Sequence, residues 1–402
     1  MRVLLASIHP RAFSGQVHSL RALARVLGSL GHDVPTLTVS LPDGPRRLPS
    51  SVHYLAATLK VVRSIARDVG GADVVHVNLP TPGFSLLADW LAARVPVPLV
   101  VGFEAPLISR ELLGSVAAEA RRQPFFYIPR LLINNPMVAR AARYSAAAYV
   151  VSSEYQRRQI ERLGIKAPIS VIPNVIDVDM GHDDGRALAR QRLGLPELDP
   201  LVGYVGHYHP VKGVETLARA FAELHARVPN ARLALAWSGL GDSDTLARQL
   251  SDLGCLDRAI FLGRTNLADL LRSIDVLALP YRYPIGQNSF PNLLLEAQGI
   301  GVPLVTTDIP VVAEACQAPG TAVLVRAGDS TRLATALASL IENPGQREDM
   351  VRRQRAHFAT RFAPELLARR YERLYREVLE GAVSSQKVPT SATEKAVPEC
   401  AP

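Results

Sequence analysis

The sequence has few cysteines and no long apolar stretch, and both shortages exclude classes of protein. Its three cysteines, Cys255, Cys316 and Cys400, are widely separated and lack the spacing of a zinc site or a redox pair, so we expect neither a disulfide framework nor a metal site. No apolar run reaches the roughly 18–20 residues of a membrane-spanning helix. Residues 1–7 read as a first strand rather than a signal peptide. We therefore expect a cytoplasmic protein.

The chain also lacks the basic and aromatic interleaving of nucleic-acid-binding modules, although its net charge is +8. Residues 105–166 hold ten Lys or Arg against four Glu, and within them residues 123–133 form an apolar, partly aromatic cluster. This segment is either a helical hairpin packed on a sheet or a surface that touches anionic lipid headgroups. We exclude nucleic acid as a partner and keep open a peripheral contact with the inner face of the membrane.

What the sequence does contain is a regular alternation of apolar strands and amphipathic helices in two blocks. The alternation predicts the α/β class, with two doubly wound, Rossmann-like sheets facing across a cleft. A length of 402 residues allows each domain its own core, and a linker is expected within about 174–200, where Asp, Gly and Pro collect. The predicted parts are an N-terminal domain, a C-terminal domain, a helix that crosses back to the first domain and a disordered tail, at residues 1–175, 176–363, 364–381 and 382–402.

The most informative stretch is 275–307, which reads as strand, loop, helix and strand. Ser289 is expected to cap the helix and Pro291 to lie in its first turn, so that free backbone N–H groups face the loop. An anion would bind there. Glu296 follows about one turn later, where its carboxylate could accept hydrogen bonds from sugar hydroxyls. The pattern predicts a site for a phosphorylated sugar.

Two further glycine-containing segments separate a strand from a helix. Residues 206–213 form a predicted loop that contains Lys212, and a backbone that comes close to a ligand beside an ammonium group suits a diphosphate. Gly15 opens the first predicted helix, which follows the strand at residues 2–7. By itself, Gly15 fits a tight turn as well as a close approach to a ligand.

Residues 288–296, followed by the segment 301–305, resemble the Glu-x7-Glu region of retaining GT-B glycosyltransferases in glycosyltransferase family four. The resemblance implies that Glu296 holds the ribose of a nucleotide. It also implies that Asn288 stands where the first Glu of the pattern engages the donor sugar. An amide there keeps its hydrogen bonding but loses the charge.

Two other positions depart from the family pattern. The resemblance places Glu104 where the family has a His beside the reacting sugar, so Glu104 is either an acid, a base or an acceptor-binding group, or a solvated residue at the rim. His207 stands where the family has an Arg that stabilises the leaving diphosphate together with Lys212. A neutral imidazole supplies less charge than a guanidinium group.

The resemblance thus implies two sets of site residues. The catalytic residues are Lys212, His207 and Glu104. The donor-binding residues are Gly15, Gly206, Gly239, Arg264, Asn288, Phe290, Pro291, Asn292, Leu293 and Glu296. Gly239 and Arg264 are expected near the base. Neither a metal nor a cofactor is expected, since the nucleotide sugar is a substrate.

The function that the resemblance implies is retaining, metal-independent sugar transfer of the hexosyltransferase type. The donor would be a nucleoside-diphosphate sugar, and the acceptor a hydroxyl of a glycan, a lipid-linked sugar or a small molecule. Because three family positions are replaced together, a non-catalytic homologue that only binds the nucleotide sugar is one alternative. A nucleotide-sugar epimerase or hydrolase of the same fold is another.

Overall fold

The structure is a computed structural model of the chain. It describes residues 1–7, 15–38, 60, 62–65, 67, 69–108, 121, 128, 134–176, 185–208, 210–241, 243–283 and 290–386. These residues contain two six-stranded parallel sheets with helices packed against them, which confirms the predicted α/β class. The apolar cluster at 123–133 lies outside them, apart from Ile128.

The first sheet is built from the N-terminal part of the chain. Its strands are β1 Val3–Ser7, β2 Thr36–Thr38, β3 Val74–Leu79, β4 Leu99–Phe103, β5 Ala148–Val151 and β6 Ile169–Val171. They lie in the order β2-β1-β3-β4-β5-β6. The central strands are apolar along most of their length because a hydrophobic cluster covers each face of the sheet.

The second sheet is built from the C-terminal part of the chain. Its strands are β7 Leu201–Tyr208, β8 Arg232–Gly241, β9 Ala259–Gly263, β10 Val276–Leu279, β11 Leu304–Thr307 and β12 Val323–Val325. They lie in the order β12-β11-β10-β7-β8-β9. This sheet also has a hydrophobic cluster on each face, so each sheet has its own core.

The α-helices whose bounds the structure gives are numbered in chain order. In the first part they are α1 Gly15–Ser29, α2 Ser85–Ala92, α3 Pro136–Ala139 and α4 Glu154–Glu161. In the second part they are α5 Arg186–Arg192, α6 Val214–Arg227, α7 Ser243–Asp252, α8 Leu267–Ser273, α9 Asn292–Ile300, α10 Pro310–Ala315, α11 Ser330–Glu342, α12 Pro344–Arg361 and α13 Pro364–Gln386.

Part of the predicted linker is helical. Helix α5 lies within residues 174–200. It is held against the second part of the chain by Arg190, which is buried and forms hydrogen bonds there. The guanidinium group donates to the backbone oxygen of Ser273 over 2.9 Å and to the carboxylate of Asp275 over 3.2 Å. Composition indicated only a linker here, because composition cannot show that an arginine has buried hydrogen-bond partners.

Helix α12 was not expected from the sequence. Only Met350 and Gln354 of this helix are buried, so the apolar periodicity that signals a helix is nearly absent. The Gln354 amide anchors the helix by donating to the backbone oxygens of Val302 and Thr321, both over 2.9 Å. Buried polar contacts take the place of the usual apolar stripe.

Helix α13 returns to the first sheet, as predicted for the helix at 364–381. Leu367, Tyr371 and Tyr375 are buried in the same cluster as Leu5 of β1 and Leu23 of α1. The helix continues to Gln386, so the expectation that the tail begins at 382 was wrong for its first five residues. No proline interrupts the backbone hydrogen bonding before residue 389.

Candidate active site

Both sheets reverse their strand order at a central position, where open α/β sheets bind ligands. In the second sheet the reversal lies between β7 and β10, so the segments after these two strands flank a crevice. In the first sheet it lies between β1 and β3, and the segment after β1 leads to Gly15. The side chain of Asn292, at the start of α9, donates to the backbone oxygen of Gly15 over 2.7 Å. The two reversal points therefore face each other.

The predicted loop at 206–213 is shorter than expected. Strand β7 runs to Tyr208, so Gly206 and His207 are strand residues. Strand β8 likewise runs as far as Gly241, because the extended β7 gives it a partner and Tyr208 pairs with Gly241.

Lys212 ends a 3₁₀ turn after β7, and its ammonium nitrogen lies 5.0 Å from the ring centre of Tyr281. Tyr281 follows β10, and the backbone N–H of Arg282 donates to the oxygen of Val211 over 3.0 Å. Burial, and secondarily the charge of Glu296, raise the pKa of the Tyr281 phenol. Lys212 thus lies beside a tyrosine whose ionisation the charge of Glu296 opposes. The sequence analysis missed Tyr281, whose only signal was its position directly after an apolar strand.

The start of helix α9 differs from the expected cap at Ser289 and first-turn position of Pro291. Its first residue is Asn292, and Pro291 is the N-cap residue rather than part of the first turn. Pro291 has no side-chain acceptor and gives no capping hydrogen bond, while Ser289 lies outside the described residues. Helix geometry leaves the N–H groups of Asn292 and Leu293 without acceptors inside the helix. Helix α9 is the first helix after β10, so these donors lie at the carboxyl edge of the sheet, where the sequence predicted an anion.

Four other residues were predicted to bind the donor, and the three that the structure describes lie in different environments: Phe290, Gly239 and Arg264. Phe290 is fully buried, edge to face with Phe362 at 5.9 Å, so its side chain holds the start of α9 in the core. Gly239 lies within β8, and the exposed Arg264 follows the neighbouring strand β9. Asn288 lies outside the described residues.

The side chain of Asn292 links the two parts of the chain. Its amide nitrogen donates to the backbone oxygen of Gly15 and, over 2.8 Å, to the hydroxyl of Ser19. Its oxygen accepts from Asn174 over 3.2 Å, and Asn174 accepts from the Ser152 hydroxyl over 3.2 Å. The Asn292 side chain thus holds the two parts of the chain together, which the sequence analysis did not predict. Its backbone N–H group is still one of the donors at the start of α9.

A second link was also missed. The carboxylate of Glu314, in α10, accepts hydrogen bonds from the backbone N–H groups of Glu154 and Tyr155 over 2.6 and 2.9 Å. These two residues begin α4, where the helix dipole favours a negative charge. Arg361 lies 3.7 Å from the same carboxylate. The side chain of one part therefore caps a helix of the other.

Glu104 follows β4 at the carboxyl edge of the first sheet. Its side chain is 5% exposed, so the alternative of a solvated rim residue was wrong. Within the described part of the chain its Oε2 atom has no hydrogen-bond partner. Burial raises the pKa of this carboxyl well above its usual range because the charged form is poorly solvated. Glu104 can therefore offer a neutral acid group to a ligand.

Helix α13 brings two tyrosines to this region of the first sheet. The Tyr375 hydroxyl lies 2.7 Å from Nδ1 of His76, and the Tyr371 ring lies 5.6 Å from the His76 ring. Burial, and then the charge of Glu104, raise the pKa of Tyr371. Burial also lowers the pKa of His76 to about 4, so this histidine is neutral and structural. Sequence reasoning missed the tyrosines, since they join the region only through the returning helix.

The ionisation of the Glu296 carboxyl predicts that ligand affinity depends on pH. Burial raises its pKa to about 7, and the ionised form is the better acceptor for hydroxyl groups. If the ionised form alone binds, affinity for a nucleoside-diphosphate sugar should rise by up to about tenfold from pH 6 to pH 8. Calorimetric measurement of the affinity between pH 6 and pH 8 checks this prediction. The ligand is a diphosphate diester, which does not titrate in this range, so a change in affinity reports a group of the protein. In Glu296→Gln the profile should be flat, and a wild-type profile in that variant would contradict the assignment.

Three stretches of the basic segment at 105–166 lie outside the described residues, at 109–120, 122–127 and 129–133. They hold most of the apolar cluster at 123–133, so the choice between a packed helical hairpin and a lipid-facing surface stays open. Within the described ranges, no helix is both long and apolar enough to cross a membrane. No group of three or more His, Cys, Asp or Glu side chains is arranged for a metal ion there.

Two facing parallel sheets with a crevice at each reversal point define the GT-B fold of glycosyltransferases. The chain belongs to glycosyltransferase family four. The family model described as Glycosyltransferase Family 4 matches residues 13–180. The model described as Glycosyl transferases group 1 matches residues 185–357. The resemblance read from residues 288–296 is therefore confirmed.

Relatives and a solved structure agree with this assignment. A phosphatidyl-myo-inositol mannosyltransferase of Mycolicibacterium smegmatis is 30% identical over 389 residues, 91% of this chain and 90% of that protein. A D-inositol 3-phosphate glycosyltransferase of Nocardia farcinica is 29% identical over 314 residues, 75% of this chain but only 66% of that protein. The structure of Anabaena Alr3699/HepE in complex with UDP-glucose aligns with a TM-score of 0.69 at 19% identity, covering 96% of this chain and 100% of that one. At that identity the likeness concerns the fold.

Proposed function

We propose that the protein is a retaining glycosyltransferase that moves a sugar from a nucleoside-diphosphate sugar to an acceptor hydroxyl. The observation that carries the proposal is the contact of Lys212 with the Tyr281 ring at the reversal point of the second sheet. Tyr281 packs in the same cluster as Phe290 and Leu294, at the start of α9, the helix that carries Glu296. An ammonium group and helix N–H donors suit a diphosphate. A carboxylate one turn along suits the hydroxyls of a ribose.

The geometry supports a mechanism that depends on charge stabilisation. The bond between the anomeric carbon and the diphosphate oxygen breaks while the acceptor oxygen bonds to that carbon on the same face. The acceptor proton passes to the departing phosphate. Lys212 and the N–H groups of Asn292 and Leu293 stabilise the charge that grows on the diphosphate. Cationic and N–H groups serve the phosphates in this proposal, without a metal ion.

The acceptor side belongs to the first sheet. Glu104 is buried at its carboxyl edge with an oxygen that has no partner in the described residues, so a sugar or acceptor hydroxyl is a suitable partner. The two curated relatives above are named for inositol phosphate and phosphatidylinositol. We infer an acceptor with several hydroxyls, which is a glycan, a lipid-linked sugar or a small polyol.

Thermal unfolding with a panel of nucleoside diphosphates and their sugars tests the donor half of the proposal. A ligand that binds only the folded state raises the melting temperature, and the test is run with and without a divalent metal ion. We expect one nucleotide to give a clear shift independent of metal, and radiolabel from its sugar to reach a polyol acceptor with the anomeric configuration kept. The absence of any shift would refute the proposal. A shift without transfer to any acceptor would favour the non-catalytic alternative.

Glu104→Gln should lower turnover while nucleotide affinity stays unchanged. The substitution keeps the shape and neutrality of the buried group, so folding should not suffer, but the amide cannot exchange a proton or donate as an acid does. Comparing kcat with the Kd for the nucleoside diphosphate checks this. Loss of nucleotide binding with intact turnover would remove Glu104 from the acceptor side.

A further inference from the structure

A cavity of about 810 Å³ lies away from the candidate active site, at the amino edge of the second sheet. The start of α5, the ends of α8 and α9 and one face of α12 line it; we name it the rear cavity. Asp275 and Pro303 in its wall directly precede strands β10 and β11. The proposed donor site is at the opposite, carboxyl edge of the same strands. The volume lies in the range of small-molecule sites.

The lining of the rear cavity is strongly basic. It contains two acidic residues, Asp275 and Glu348, against five arginines, a balance of +3. Asp275 is already satisfied, because it accepts from the backbone N–H of Leu201 and pairs with Arg186 and Arg190. The five arginines are Arg186, Arg272, Arg347, Arg352 and Arg355.

Two of these arginines are held by backbone carbonyl oxygens, which do not neutralise the positive charge of the guanidinium group. The guanidinium group of Arg347 donates to the backbone oxygens of Leu340 and Ile341 over 2.5 and 2.7 Å. That of Arg355 donates to the backbone oxygen of Ile300 over 3.0 Å. Neither has a carboxylate within ion-pair distance among the described residues. A carbonyl fixes a guanidinium group but leaves its full charge and several N–H donors for an anion.

The rest of the lining is apolar, with Leu271, Ile274, Val302 and Val351 among the wall residues. A ligand that fits this arrangement has an anionic group that binds the guanidinium groups of Arg347 and Arg355, and an uncharged body that lies against the apolar wall. Guanidinium groups match phosphate oxygens in pairs. We propose that the rear cavity binds a soluble phosphate ester of a sugar or polyol.

Helix α9 connects this cavity with the proposed donor site. Its last residue, Ile300, is held by Arg355, and its first residue, Asn292, lies at the proposed donor site, about 12 Å away along the helix. A phosphate bound by the remaining N–H donors of Arg355 polarises the guanidinium group and so weakens its hydrogen bond to Ile300, at one end of α9. The ligand therefore acts as an effector of donor affinity, a step that rests on the proposed function. By linkage, donor and effector change each other's affinity by the same factor.

Calorimetric titration with glucose 6-phosphate tests the binding step, with glucose and citrate as comparators. The titration is done in Lys212→Ala, so that phosphate binding at the donor site does not contribute. We expect saturable binding of glucose 6-phosphate, weakened about tenfold by Arg355→Gln and to a lesser extent by Arg352→Gln. The Arg352 side chain is 74% exposed, so its replacement should leave folding intact.

Arg353→Gln is the matched control, since Arg352 and Arg353 both pair with Asp349 but Arg353 does not line the cavity. Three results would overturn the binding step: no saturable binding, equal weakening by Arg353→Gln, or tighter binding of citrate.

The coupling step is measured in the otherwise wild-type chain. Saturating glucose 6-phosphate should change the Kd of the nucleoside diphosphate by about fivefold or more, and Arg355→Gln should abolish the change. An unchanged Kd would overturn the effector role even if the ester binds. If no nucleotide binds at all, the proposed function and the effector role fail, whereas binding in the rear cavity is judged by the titration alone.

Discussion

Gly213→Ala is expected to lower the melting temperature sharply and to abolish nucleotide binding. Gly213 has a φ of +75°, and a Cβ atom there would lie 1.7 Å from the backbone oxygen of Pro280. The left-handed conformation costs about 1–2 kcal/mol for a non-glycine residue, and overpacking costs about 1–3 kcal/mol more. The loop after β7 must therefore separate from the segment after β10. That separation removes Lys212 from Tyr281.

Gly254→Ala is the control for the conformational part of this effect. Gly254 has a similar φ of +71°, but a Cβ atom there would meet nothing within 4 Å. Its melting temperature should fall by a fraction of the Gly213→Ala decrease, and nucleotide affinity should be that of the wild type. Equal decreases in the two variants would show that the close approach to Pro280 does not matter.

Lys212→Ala is expected to reduce kcat/KM for sugar transfer about ten- to a hundredfold, or 1.4–2.8 kcal/mol in transition-state terms. The ammonium group is placed 5.0 Å from the Tyr281 ring centre, and its charge is most valuable when the diphosphate departs. Steady-state kinetics with the nucleotide sugar identified by the thermal panel measures the loss. Circular dichroism should show an unchanged fold.

Two variants sharpen this test. Lys212→Arg keeps the positive charge and should recover part of the activity. Lys166→Ala removes an exposed lysine near the start of β6 and should have no effect. Activity at the wild-type level in Lys212→Ala would refute the site, whereas equal losses in both alanine variants would indicate a general effect of net charge.

Much of the fold could be predicted because its signals are local. Apolar runs such as Val74–Leu79 are buried strands between covered faces, and the apolar periodicity of Val214–Arg227 gives an amphipathic helix. Helix α12 escaped prediction because buried amide contacts of Gln354, rather than apolar spacing, hold it. The bounds of β7 and β8 also escaped, since a strand can extend only if its neighbour does.

The candidate site was predictable where a motif carries its own chemistry. Lys212 and Glu296 were predicted in this way, and in the structure Lys212 lies beside the ring of Tyr281, a tyrosine whose pKa the charge of Glu296 helps to raise. Residues whose part depends on a distant contact were not found. Glu314 caps a helix about 160 positions earlier in the chain, and Tyr375 meets His76 across 299 positions.

The sequence by itself determined the α/β class, the family and the kinds of group proposed for the diphosphate site, because backbone preference, periodicity and short motifs are written in neighbouring residues. The tertiary structure alone decided the burial of Glu104, the bridging hydrogen bonds of Asn292 and the gathering of arginines in the rear cavity. These depend on which side chains the folded chain brings together and on how much water it removes. Solvation and long-range contact set pKa values and hydrogen-bond partners, and neither is a property of a short segment.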